Sequence, residues 1–336
     1  MKVVAITGKR TCEIVECPEP RIKGEFVKVA IRAAPTCTEW HAYRDGAITD
    51  SLGHEAAGEV VEIAQPGSVA VGDRVVVMPQ YGCGKCNLCL SGEHIYCQQP
   101  VDPYLYCESQ TGRATFAQVC IKQDWLLVPI PEDISYDHAS MACCGLGPTF
   151  SAMQQMRVNA LDTVLVSGLG AVGLGAVVNA RCRGARVIAL VSNQYRAALA
   201  KTLGVEAVID PQDEHRLERI LELTDGRGAD KSVETSSAET APAFLVQATR
   251  RKGQVASVGW GGPIMARDIV AKGLTVYGIW HWNHYRDAQA MFNTIRQSRA
   301  MLDKIITHVF PMREVSKAWE LQLAGKCGKI ILHPWD

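Results

Sequence analysis

The stretch Thr163-Val164-Leu165-Val166-Ser167-Gly168-Leu169-Gly170-Ala171-Val172-Gly173 decides the architecture. A short apolar run meets three glycines in G-x-G-x-x-G spacing, and a helical period starts near Ala171. The first glycine permits a tight turn, the second lets a pyrophosphate approach the backbone, and the third packs the helix on the sheet. The helix N-terminus meanwhile aims N–H groups at the phosphates. The glycines alone carry little weight. The strand before them, the helix after them and a second strand at 186–191 select a dinucleotide over a purely structural turn.

Downstream the pattern continues as strand and helix in alternation: helix 170–182, strand 186–191, helix 195–203, strand 207–209, then 231–234, a helix at 241–249, 253–258 and 274–279. That predicts a doubly wound, six-stranded parallel sheet of α/β class. Upstream the texture differs. Short β-rich runs at 3–7, 26–33, 58–63, 74–78, 116–122 and 125–128 predict mostly antiparallel β, followed by a helical stretch at 136–156. A helix, a strand at 305–310, a second helix and a strand at 329–333 close the chain, which has no internal repeat.

At 336 residues the chain exceeds the usual size of one hydrophobic core, so two domains are expected. Lysine plus arginine equal aspartate plus glutamate at 35 each, which leaves no bulk positive field for nucleic acid or an anionic membrane and points to a small ligand. The apolar run at 1–6 is too short for a signal-peptide core, and no stretch is long enough to span a bilayer, so the expected location is cytoplasmic. Thirteen cysteines, an odd number, fit metal ligation better than a disulfide framework there.

Cys83, Cys86 and Cys89, followed by Cys97, place four thiols on a turn-rich segment. Four thiolates complete a zinc tetrahedron and leave no open position, so this site is read as structural, stapling a lobe with little core of its own. A redox pair is disfavoured because no thioredoxin-like strand-to-helix junction is present, and a nucleic-acid zinc module because no basic helix accompanies it. At the end of the second parallel strand, Val191-Ser192-Asn193 stands where a carboxylate usually holds the adenosine ribose. Its absence removes the barrier to a 2′-phosphate, which Ser192, Asn193 and Arg196 are suited to bind, and NADP is favoured over NAD. An NAD enzyme that omits the ribose contact is the other reading.

A third constellation is dispersed: Cys37-Thr38-Glu39-Trp40-His41, Gly53-His54-Glu55, and Cys143-Cys144-Gly145. Two cysteines and a histidine supply the mixed ligands of a catalytic zinc with an open position. Taken singly, His54 reads more readily as a packed structural histidine and Cys144 as a small buried hydrophobe than as ligands. The order of all these motifs, with Gly72-Asp73-Arg74-Val75 and the late Gly325-Lys326-Cys327-Gly328-Lys329, resembles the zinc-containing medium-chain alcohol dehydrogenases (medium-chain dehydrogenase/reductase family) over essentially the whole chain.

The resemblance implies a β-rich, GroES-like, partly barrel-like catalytic domain from 1–148 completed by 285–336, a Rossmann domain at 149–284, and an active site in the cleft. It implies Cys37, His54 and Cys144 on catalytic zinc, with Cys143 as the alternative third ligand. Glu55 becomes a charged neighbour or occasional extra ligand, and Thr38 and His41 the proton relay from an alcohol whose hydride goes to nicotinamide. Val258, Gly259 and Trp260, after the strand at 253–258, and Lys329 count as further cofactor contacts. The chain departs from the family in lacking one residue between the cysteine and the hydroxyl and in a short 37–54 segment, which predicts a wide substrate entrance.

Cysteine as third ligand resembles alcohol rather than polyol dehydrogenases. Secondary alcohols, polyols, sugars and cyclitols all remain open as substrates. Trp260, Trp280, His281 and Trp282 read either as a stacking surface for a cyclic substrate or as a subunit interface. The run 274–282 reads as an edge strand pairing across a two-fold axis, so a homodimer or homotetramer is expected. Two other classes are weighed: a zinc-free quinone or enone reductase, which would lack Cys37, His54 and Cys144, and a non-catalytic nucleotide-binding homologue.

Overall fold

The computed structural model describes residues 1–336. In chain order its strands are β1 (Lys2–Gly8), β2 (Thr11–Glu16), β3 (Phe26–Pro35), β4 (Ala56–Ile63), β5 (Arg74–Val77), β6 (Val119–Gln123) and β7 (Leu127–Pro129). Next come β8 (Thr163–Ser167), β9 (Arg186–Leu190), β10 (Ala207–Ile209), β11 (Ala229–Glu234), β12 (Thr249–Ser257) and β13 (Thr275–Gly278), and finally β14 (Ile306–Pro311) and β15 (Lys329–His333). The chain divides into two compact units, Met1–Cys144 with Asn283–Arg296 and Ile306–Asp336, and Gly145–Trp282 with Gln297–Ile305.

In the second unit six parallel strands run β10-β9-β8-β11-β12-β13. Counting from β8, that is the 3-2-1-4-5-6 order of a dinucleotide-binding sheet, with its topological switch between β8 and β11. Every residue of β8 is buried, as expected of a central strand with both faces covered. Leu165, Ile188, Leu245 and Val255 lie in the core between sheet and helices.

The first unit holds a seven-stranded sheet, β14-β15-β3-β4-β5-β7, with β6 also on β3. β3 pairs β4 along one edge, while its other edge takes β6 at Phe26–Ala30 and β15 at Ala34 and Pro35. Register shifts in the β3–β4 ladder increase local twist. Trp319, Phe116, Ile6 and Ile31 are fully buried in its core.

Two local features differ from the sequence reading. β1 pairs β2 as a hairpin that the pattern did not disclose, because Thr11, Glu13 and Glu16 are exposed and Cys12, Ile14 and Val15 only half-buried. The helix expected over 136–156 is two helices, Tyr136–Ser140 and Gly147–Gln155. Pro148, near the start of the second, has no N–H to donate, and its ring would clash with the Cys144 carbonyl four residues back in a continuous helix. The resulting break at 141–146 carries Cys143 and Cys144.

Candidate active site

In the second unit Gly168 ends β8 at φ +84°, and a Cβ there would sit 2.5 Å from Ser236 Cα. A Cβ on Gly170 would meet nothing within 4 Å, whereas one on Gly173 would lie 1.8 Å from the Gly168 carbonyl oxygen. The three glycines thus divide the work as the motif requires: turn, open approach, close packing. Gly170 caps the helix Ala171–Cys182, whose first residues are Ala171 and Val172. A cavity of ≈330 Å³ opens beside them, lined by Gly168, Leu169, Gly170, Val191, Ser192, Asn193 and Arg196 among others.

Arg216 also lines this cavity, its guanidinium 4.5 Å above the Phe244 ring, a second cation that sequence reasoning missed. Asn193 caps the helix Gln194–Thr202 by accepting from Arg196 N at 2.9 Å, so its side chain already has a backbone task. Val258, Gly259 and Trp260 lie outside the lining. Trp260 is exposed and meets Trp280 edge-on at 5.7 Å, whereas His281 and Trp282 are buried, so the expected aromatic cluster splits.

In the first unit the break after Ser140 brings Cys144 to Cys37, His54 and Glu55, and one ligand atom from each lies within 4.8 Å of the others. Cys144 Sγ is 3.4 Å from His54 Nε2. Cys143 points elsewhere, fully buried with Sγ 3.3 Å from the Val77 carbonyl. Glu39, two residues beyond Cys37, does two jobs: Oε1 sits 2.8 Å from His54 Nδ1, and Oε2 accepts from Cys37 N at 2.8 Å. Lys329 was expected on the cofactor. Instead its ammonium is 2.7 Å from Glu55 Oε1 with both side chains buried, and Glu55 Oε2 accepts from Cys144 N at 3.1 Å.

The electrostatics favour a cation at this cluster. The hydrogen bond from Cys144 holds Cys37 well below the usual thiol range, against burial and with help from His54. Burial works against protonation of His54, but Cys37 and Glu39 outweigh it and raise the imidazole to about 11. Burial pushes Glu55 above the usual carboxylate range against the pull of Lys329. Protons are held here by the Cys144 thiol, the His54 imidazole and the Glu55 carboxyl beside the Cys37 thiolate, a donor set from which a divalent ion displaces protons. A carboxylate on the far imidazole nitrogen fixes the tautomer that presents Nε2 to the thiols.

The four-cysteine lobe fits zinc independently. Cys83 and Cys89 Sγ are 4.0 Å apart and Cys86 and Cys97 Sγ 3.9 Å, far beyond a disulfide and close to the edge of about 3.8 Å that a tetrahedron of Zn–S bonds requires. Cys83 N and Gln99 N donate to Cys97 Sγ, and Cys86 N donates to Cys83 Sγ. Backbone donation draws Cys86 down to about 6.

Thr38, His41 and His54 line a cavity of ≈680 Å³ together with Tyr81, Arg113, Thr115 and Lys122. Thr38 and His41 are exposed, and His41 N donates to the Thr38 carbonyl, keeping both on one turn. Lys122 is buried, donates to the Gln80 carbonyl at 3.0 Å and sits 3.3 Å over the Tyr81 ring. Burial lowers its pKa to about 7, Arg113 adding in the same sense.

Residues 23–132 match the family model described as alcohol dehydrogenase GroES-like domain, and residues 171–297 match that of zinc-binding dehydrogenase. The chain is 31% identical to L-threonine 3-dehydrogenase of Bacillus licheniformis over 94% of each chain, and 30% identical to sorbitol dehydrogenase of Halalkalibacterium halodurans over 96% of each. Its fold superposes on an alcohol dehydrogenase from Thermus sp. ATN1 with a TM-score of 0.88 at 23% identity, covering 99% of both chains. The chain belongs to the zinc-containing medium-chain alcohol dehydrogenases. Its reaction is accordingly hydride transfer between a small-molecule alcohol and NAD(P), and its family's metal is zinc. No helix is long and apolar enough to cross a membrane.

Proposed function

We propose that the chain is an NADP-linked dehydrogenase of secondary alcohols, polyols, sugars or cyclitols, carrying two zinc ions. Cys37, His54 and Cys144 would hold the catalytic ion, and Cys83, Cys86, Cys89 and Cys97 the structural one. The observation that carries the reading is the convergence of Cys37, His54, Glu55 and Cys144 within 4.8 Å, with Glu39 on the far nitrogen of His54. Zinc, when bound, supplies the Lewis acidity that makes an alcohol acidic near neutral pH, and nicotinamide accepts the hydride. Glu39 orients the imidazole, while Lys329 keeps the buried Glu55 charge compensated. Thr38 and His41, which both line the cavity, would take the hydroxyl proton outward to solvent.

The first unit acts as catalytic domain and the second as dinucleotide-binding domain. NADP is favoured over NAD by Val191-Ser192 at the end of β9, where no carboxylate opposes a 2′-phosphate, and by Arg196 and Arg216 on the same cavity. We further infer a cytoplasmic homodimer or homotetramer. Thirteen free cysteines suit a reducing compartment, and β13 leaves one edge of its sheet unpaired near the exposed Trp260 and Trp280.

The test is zinc content per chain combined with NADPH and NADH titrations followed by nicotinamide fluorescence. A panel of L-threonine, sorbitol, xylitol and myo-inositol completes it. About two zinc ions per chain and tighter NADPH binding are expected. A single zinc in fully loaded protein, with turnover of enones and no alcohol, would replace this reading by the zinc-free reductase.

A further inference from the structure

We infer that the cavity beside Cys37 and His54 accepts an alcohol bearing an anionic group, carboxylate or phosphate, and that Lys122 and Arg113 bind that group. The inference rests on the proposed reading of this cavity as the alcohol site and narrows its substrate class.

Both cations line the same cavity as Thr38, His41 and His54. Lys122, on β6, is 3% exposed, and no carboxylate of the chain pairs with it. Arg113 is exposed and has neither hydrogen bond nor ion pair. Glu39, the carboxylate on the same lining, is engaged by His54 Nδ1 and Cys37 N, so the two cations share one cavity with no carboxylate paired to either, an arrangement that an anion relieves. Thr115, 3% exposed on the same lining, has a buried Oγ1 with no partner and is free to donate to such a group.

A purely structural role for Lys122 would be to hold the turn before Cys83 through the Gln80 carbonyl. The next residue shows that this task needs no charge: Gln123 Nε2 holds the Gly82 carbonyl of the same turn at 2.6 Å with a neutral amide. The Tyr81 ring faces the ammonium at 3.3 Å, but no carboxylate neutralises it. Burial brings it to the edge of losing its proton, and an anion in the cavity would keep it charged.

The test uses zinc-loaded enzyme with NADP and two matched pairs, 3-hydroxybutyrate against 1,3-butanediol and sn-glycerol 3-phosphate against glycerol. The charged member of one pair should have a kcat/KM higher by about tenfold or more, and which pair responds tells carboxylate from phosphate. Lys122→Met and Arg113→Gln should each remove that preference, and Lys122→Arg should retain it. If Lys122→Met does not fold, Arg113→Gln, an exposed position, reads the same loss. Equal or better use of the neutral members in both pairs would overturn the inference and leave the dehydrogenase reading standing. Should none of the four be turned over, calorimetric titration decides: binding of an anion that Arg113→Gln abolishes upholds the anion-binding role of the two cations, and no anion binding strikes the inference.

Discussion

Replacing Glu39 by glutamine tests the proposed catalytic centre without touching a ligand. The carboxylate makes two contacts, 2.8 Å to His54 Nδ1 and 2.8 Å to Cys37 N. Glutamine keeps the shape, and its carbonyl oxygen can still accept from Cys37 N. Its amide then faces His54 Nδ1 as a donor, so the imidazole must accept there and carry its proton on Nε2, the nitrogen 3.4 Å from Cys144 Sγ. The lone pair offered to a metal is lost in that tautomer, and recovering it leaves two donors opposed. Partners of this kind are worth roughly 10–100-fold in metal affinity, which is about 1.4–2.7 kcal/mol. Zinc release to a chromophoric chelator should be biphasic, with the weaker phase shifted by that factor in Glu39→Gln. The four-cysteine lobe serves as an internal control. Identical release curves for variant and parent would refute the assignment of Glu39, and with it the geometry claimed for His54.

Cys144→Ser should lower zinc content by one ion per chain, while Cys143→Ala should keep both and cost no more than roughly 1–2 kcal/mol of stability; the reverse pattern would exchange their roles. Gly173→Ala pushes a methyl 1.8 Å from the Gly168 carbonyl and should weaken NAD(P)H binding by about tenfold or more in a fluorescence titration, unchanged affinity counting against the glycine loop. His333 is raised by its hydrogen bond to Asp137 at 2.8 Å, with burial opposing. Its stabilisation is therefore fully present below the ordinary histidine value and lost as pH rises through the raised one. Melting of His333→Gln against the parent should show a gap at pH 6 that closes at alkaline pH, and a constant gap would dismiss the ion pair as its cause.

The parts legible in the sequence were those whose chemistry is local. Gly168 to Gly173 and the four thiols from Cys83 to Cys97 act through spacing alone, and the alternation after Thr163 follows from burial on both faces of a parallel sheet. What escaped depends on partners far apart in the chain. Glu39 carries no mark until His54 stands beside it, and Lys329 reaches Glu55 across 274 residues. Arg216 and Lys122 look like ordinary cations until the fold gives each a cavity to line. The hairpin strand β2 was hidden because its half-wet side chains blur the alternation of a strand. The helix break at Cys143 and Cys144 was hidden because apolar residues continue through it, although Pro148 was a signal to stop.

The C-terminal segment of the first unit has a consequence for how the enzyme comes into being. Gln322 donates to the Cys37 carbonyl, and β15 enters the sheet between β14 and β3 to deliver Lys329. A nascent chain that has already emitted Cys37, His54 and Cys144 still lacks the ion-pair partner of Glu55 until Lys329 is made and β15 enters the sheet. A chain cut before β15 would bury Glu55 without that partner.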